Sequence, residues 1–124
     1  MDHVTSLQQR EIVMLDNDRL NDLYSQLGQH AAEDVVCRAL EEMAARLSHI
    51  EKSYREGDWD DLRKNARGLG AIADQLGIVA LAKVARDVKT CVEVGDPVAI
   101  AATIARLMRV GEVSLTEVWD MQEI

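Results

Sequence analysis

The sequence predicts an all-α protein: four long amphipathic helices forming an antiparallel, up-down-up-down bundle, with an additional short N-terminal helix. Three observations carry this prediction. Apolar residues recur at alternating spacings of three and four along four separate stretches, which lines one face of a helix each time. The stretches are separated only by Gly57-Asp58, Gly77 and Gly95-Asp96-Pro97, and connections this short make successive helices antiparallel neighbours. Pro97 is the only proline, so little interrupts a helix, and nothing reads as a strand.

Residues 1–17 are mixed and form an N-terminal segment ahead of a bundle at 18–124. In that segment Ile12-Val13-Met14-Leu15 is a short apolar run before Asp16-Asn17-Asp18, a cluster suited to a turn and an N-cap. Leu20, Leu23 and Leu27 then mark the short helix, which stops at Gly28. The first long helix runs from about His30 to Glu56 with Val36, Leu40, Met43, Leu47, Ile50 and Tyr54 on one seam. Asp58 caps the next, whose seam is Trp59, Leu62, Ala66, Leu69, Ala73 and Leu76. Beyond Gly77, Ile78, Leu81, Ala85, Val88 and Val92 share a face. Gly95-Asp96-Pro97 supplies a stop, an N-cap and a proline at the first helical position. The last helix carries Ile100, Ile104, Leu107 and Met108, is expected to kink or restart at Gly111, and continues through Leu115, Val118 and Trp119. Leu40, Met43, Leu47, Leu62, Leu69, Leu81, Val88, Ile104 and Met108 are the predicted core.

Composition agrees with helices and narrows the function. At 124 residues the chain holds one core, and hydrophobic residues are 48% of it with only 3% aromatics and no Phe. Ala, Leu and Val must therefore fill the interior, which suits closely packed helices. The net charge of −8 disfavours nucleic acid, because phosphate binding needs a concentrated basic surface. No apolar run approaches the roughly 20 residues that span a bilayer, and Met1-Asp2-His3-Val4 lacks the layout of a signal peptide. Cys37 and Cys91 read as small buried hydrophobes in a reducing cytoplasm.

The most specific stretch is Ala66-Arg67-Gly68-Leu69-Gly70-Ala71, followed by five residues and Gly77. It resembles the signature of the histidine-containing phosphotransfer (HPt) domain of bacterial phosphorelays, Ala-His-x-Leu-Lys-Gly, then five residues, then Gly. Ala66, Leu69, Leu76 and Gly77 fall in register. Arg67 stands at the phospho-accepting His, Gly70 at the Lys and Ala71 at the first Gly. Gly57-Asp58-Trp59 and Gly95-Asp96 resemble the family's turns, and the likeness extends over about residues 19–119.

Relay chemistry needs a nitrogen nucleophile that is unprotonated near neutral pH, as imidazole is. A guanidinium stays protonated with its electrons delocalised, so Arg67 does not replace it. The resemblance therefore implies a pseudo-phosphotransfer module with no catalytic residue, cofactor or metal. Its partner is a response-regulator receiver domain or a histidine kinase.

Arg67 lies one position past the seam residue Ala66 and is expected to face solvent. Arg63, Lys64, Gly70, Ala71 and Asp74, three, four or seven positions away, share its face. With Gly68 they form the candidate partner-binding surface, basic at one end and bare below Arg67. Gly68 and Gly70 each cost a helix about 1 kcal/mol relative to Ala, which points to close approach of a partner there; the alternatives are that they admit a neighbouring helix or reflect drift. Two other readings share these residues: a true phosphotransfer protein using His3, His30 or His49, and a scaffold or dimerisation bundle with no signalling role. None of the three histidines has the register or the flanking glycines of the motif.

Overall fold

Carboxylate caps and left-handed glycines set the helix boundaries in the structure, a computed structural model that describes residues 15–122. Asp16 accepts a hydrogen bond from the amide of Asp18 and opens α1 (Asn17–Leu27). After Gly28 comes α2 (Gln29–Glu56). Asp58 accepts from the Asp61 amide and opens α3 (Trp59–Leu76), which α4 (Val79–Val94) follows. Asp96 accepts from the amides of Val98 and Ala99 at the start of α5 (Pro97–Gln122). Two helices end in a paired backbone closure: Asp58 and Ile78 amides donate to the Ser53 and Ala73 carbonyls, around Gly57 and Gly77 in the left-handed region. The described chain is all-helical apart from one antiparallel bridge between Leu15 and Ile78.

That bridge ties the entry segment to the bundle. The Asp16 amide donates to the Gly77 carbonyl at 2.6 Å. Gly77 is required twice over, by its φ of 75° and because a Cβ there would lie 2.5 Å from the Asp16 carbonyl oxygen. Leu15 and Asp16 thus belong structurally with the helices, although they fall within the predicted separate segment. The remainder of the apolar run, Ile12-Val13-Met14, and His3 lie outside the described residues.

The apolar seams meet in one core. Val36, Met43 and Ile50 of α2, Leu62, Ala66 and Leu69 of α3, Leu81, Ala85 and Val88 of α4, and Leu107, Val110 and Val118 of α5 are all buried. Eight of the nine predicted core residues are buried, and the ninth, Met108, packs against them half-buried. Each long helix packs on the next, and α5 returns to pack on α2. Across the diagonals, α2 with α4 and α3 with α5, no Cα atoms come within 8 Å among the described residues. Helix α1 lies against α2 and α3.

Four expectations need correction. Helix α5 runs through Gly111 without a restart. Gly111 is there because Leu47 presses on it: a Cβ would lie 2.7 Å from Leu47 Cδ1. Trp59 and Trp119, placed on seams by spacing, are about half exposed. Both stand near helix ends, where no further turn of a neighbour covers the outer side of so large a ring. Leu27, in the last turn of α1, is exposed for the same reason. Cys37 and Cys91 are free and only half-buried, on two helices with no Cα atoms within 8 Å of each other.

Candidate functional site

Helix α3 carries the candidate site along the ridge that faces away from the core. Its 3.6-residue repeat sends Leu62, Ala66, Leu69 and Ala73 inward and leaves Asp60, Lys64, Arg67, Ala71 and Asp74 exposed on the outer side, with Arg63 half-buried beside them. Six of the seven predicted residues fall on or beside this ridge. Gly70 does not.

Gly70 is buried against α4: a Cβ built on it would stand 3.6 Å from Ala85 Cβ and 3.7 Å from the Ala82 carbonyl oxygen. With Ala66, Ala73, Ala82 and Ala85 it forms a small-residue contact that brings the two helices close. Its small size serves the α3–α4 packing, so bulk at Gly70 acts on folding rather than on a docking partner. Gly68, on the other flank, is covered by Arg46 of α2; a Cβ there would lie 2.3 Å from Arg46 Nη1. The bare surface expected around Arg67 is thus reduced to Ala71.

Electrostatics sort the ridge further. Arg63 Nη2 donates to Asp60 Oδ1 at 2.7 Å, and Lys64 Nζ lies 3.3 Å from Asp60 Oδ2. Hydrogen bonding to Lys64 and to Arg63 holds the Asp60 carboxyl below its ordinary pKa. Arg86 Nη1 of α4 donates to Asp74 Oδ2 at 3.2 Å, and Arg19 Nη1 of α1 donates to the Asp74 carbonyl at 3.0 Å. Arg67, between these two groups, makes no hydrogen bond or ion pair among the described residues. It offers a free guanidinium fork to whatever approaches.

A polar seam between α2 and α3 flanks the ridge. Arg46 Nε donates to Glu42 at 2.9 Å and its Nη1 to Asn65 Oδ1 at 3.5 Å. Asn65 Nδ2 donates in turn to the Asp61 carbonyl and carboxylate at 3.1 and 3.2 Å, and the buried Ser53 hydroxyl donates to the same carboxylate. Sequence reasoning missed Asp60, Arg46, Arg86 and Arg19. Asp60 was findable, lying three and four positions before Arg63 and Lys64. The three arginines come from other helices, and only the packing brings them here.

Of the other histidines, His30 and His49 are exposed on α2, with His30 Nδ1 4.0 Å from Glu33. Among the described residues no three His, Cys, Asp or Glu side chains are grouped to hold a metal ion. No described helix is long and apolar enough to cross a membrane. No match was found to any protein family, curated protein or solved structure.

Proposed function

We propose that the chain is an HPt-like pseudo-phosphotransfer module of a bacterial two-component pathway, acting in the cytoplasm. It docks on a receiver domain or a histidine kinase and transfers no phosphoryl group. The reading includes an antiparallel, up-down-up-down arrangement of α2 to α5. Connections of two residues and the closed ring of helix contacts support that arrangement.

The observation that carries the function is Arg67, in register with the family's phospho-acceptor and without a hydrogen-bond or ion-pair partner among the described residues. A guanidinium held this way pairs two donors with one carboxylate or phosphoryl group. Receiver active sites gather carboxylates, so Arg67 is suited to occupy such a pocket where a histidine would have reacted. Arg63 and Lys64 are already engaged by Asp60 and add only a residual positive field.

The test is to mix the protein with phosphorylated and unphosphorylated receivers from its own cell, following acid-labile phosphate and heat of binding. The expected result is binding without phosphate transfer, weakened at least tenfold by Arg67→Glu. Label on any histidine would overturn the pseudo-phosphotransfer reading. Equal affinity of the Arg67→Glu variant would move the interface off this ridge, and absence of binding to every receiver and kinase would favour a structural scaffold.

A further inference from the structure

Leu47 pressed on Gly111 is a close approach of α2 to α5. Beyond it, toward the start of α2 and the end of α5, the two helices leave a cleft of about 500 Å³. Helix α2 supplies Cys37, Leu40, Glu41 and Ala44, which recur every three or four residues and so share one face over two turns. Helix α5 supplies Leu115, Thr116 and Trp119. Leu40 is buried and Leu115 half-buried, which makes the floor apolar, and Trp119 adds an indole ring that is 50% exposed. The volume falls within the range of small-molecule sites, which occur between the helices of bundles.

A residue of the lining itself gives the charge of the occupant. Glu41 is the one Asp, Glu, Lys or Arg among the described residues that line the cleft, and it is exposed. It makes no hydrogen bond or ion pair among the described residues, whereas Glu42, next in sequence, is taken by Arg46. Arg38, three positions earlier on α2, neither pairs with Glu41 nor lines the cleft. The Thr116 hydroxyl donates to the Glu112 carbonyl, which leaves it to face a ligand as an acceptor. An unneutralised carboxylate and a tryptophan ring both attract a cation, and the apolar floor takes the carbon body attached to it. An anion is repelled by Glu41 and by the net charge of −8.

We propose that this cleft binds a small organic cation, with an aliphatic or aromatic body on Leu40, Ala44 and Leu115 and its ammonium group against Glu41 and the Trp119 ring. Helix α3 contributes no described residue to the cleft, so the proposal does not depend on the function proposed for the Arg67 ridge.

The test uses the intact chain and three probes that share one body: hexylammonium, hexanol and hexanoate. In a Trp59→Phe background, hexylammonium is expected to change Trp119 emission and to bind more tightly than hexanol, with hexanoate weakest. Glu41→Gln, at an exposed side chain, should lower hexylammonium affinity about fivefold and leave hexanol unchanged. Bound hexylammonium should also slow alkylation of Cys37 by iodoacetamide but not that of Cys91, which lies outside the cleft. Equal binding of hexanoate, unchanged hexylammonium affinity in Glu41→Gln, unprotected Cys37, or no saturable binding at millimolar hexylammonium would each overturn the proposal. So would a Cys37 far slower to react than Cys91 in the free protein, or sedimentation showing a dimer that Trp119→Ser dissociates. Another part of the chain, or a second copy, would then cover the cleft.

Discussion

Three glycines inside helices separate backbone preference from space, and alanine at each gives a series with a worked sign. Gly68, Gly70 and Gly111 all have ordinary helical backbone, so replacement by Ala gains about 1 kcal/mol of helix propensity at every site. At Gly70 the new methyl meets Ala85 Cβ at 3.6 Å, an ordinary contact, so the gain survives. The expected stabilisation is about 0.5–1 kcal/mol, a rise in Tm of about 2–4 °C. At Gly68 the methyl displaces the end of the Arg46 side chain, breaking contacts with Glu42 and Asn65 that are worth well under 1 kcal/mol at a surface. The net change there should be within about 0.5 kcal/mol. At Gly111 the methyl would lie 2.7 Å from Leu47 Cδ1 and 3.0 Å from its Cδ2, in the core. Overpacking of about 1–3 kcal/mol exceeds the propensity gain, for a net loss of about 1 kcal/mol. Urea unfolding of the three variants reads these values directly, provided the slopes stay equal. Destabilisation by Gly70→Ala, or a Gly111→Ala variant more stable than wild type, would refute the assigned helix packing.

Other outcomes follow from the same contacts. Leu69→Ala should lose about 2–5 kcal/mol in denaturant unfolding, as for a fully buried leucine; a loss under about 0.5 kcal/mol would misplace the α3 seam. Gly77→Ala should cost more than about 2 kcal/mol, combining left-handed strain with the clash on the Asp16 carbonyl, and thermal unfolding checks it. The Asp60 carboxyl should titrate by NMR below 3.8 and move back toward that value in Lys64→Met. Because its folded pKa is lowered, the ionised Asp60 favours the folded state above the unfolded pKa. That contribution disappears as pH falls through the folded value.

The element boundaries were legible because their signals are local. Asp16, Asp58 and Asp96 cap helices within three residues, and Gly28, Gly57, Gly77 and Gly95 have positive φ at the ends expected of them. The buried faces were legible too, since 3.6-residue periodicity is a property of each helix alone. Arg67 was correctly expected to be exposed on that basis.

Glycine inside a helix was the point at which local reasoning could not choose between a docking partner and a neighbouring helix. Gly70, Gly68 and Gly111 have the same intrinsic cost, and the sequence does not say which neighbour each one admits. Helix packing gave them different roles: α4 against Gly70, Arg46 over Gly68, Leu47 against Gly111. The charge of the ridge was decided in two ways. The pairing of Asp60 with Arg63 and Lys64 lies within one helix and was readable from spacing, whereas Asp74 is taken by Arg86 and Arg19 across helices. By itself the sequence determined where the helices start, where they stop and which stripe each one buries, because those depend on contacts a few residues apart. Only the tertiary structure decided that Arg67, alone among the ridge cations, has no partner among the described residues and that Gly70 belongs to the interior, because both depend on residues brought together by packing.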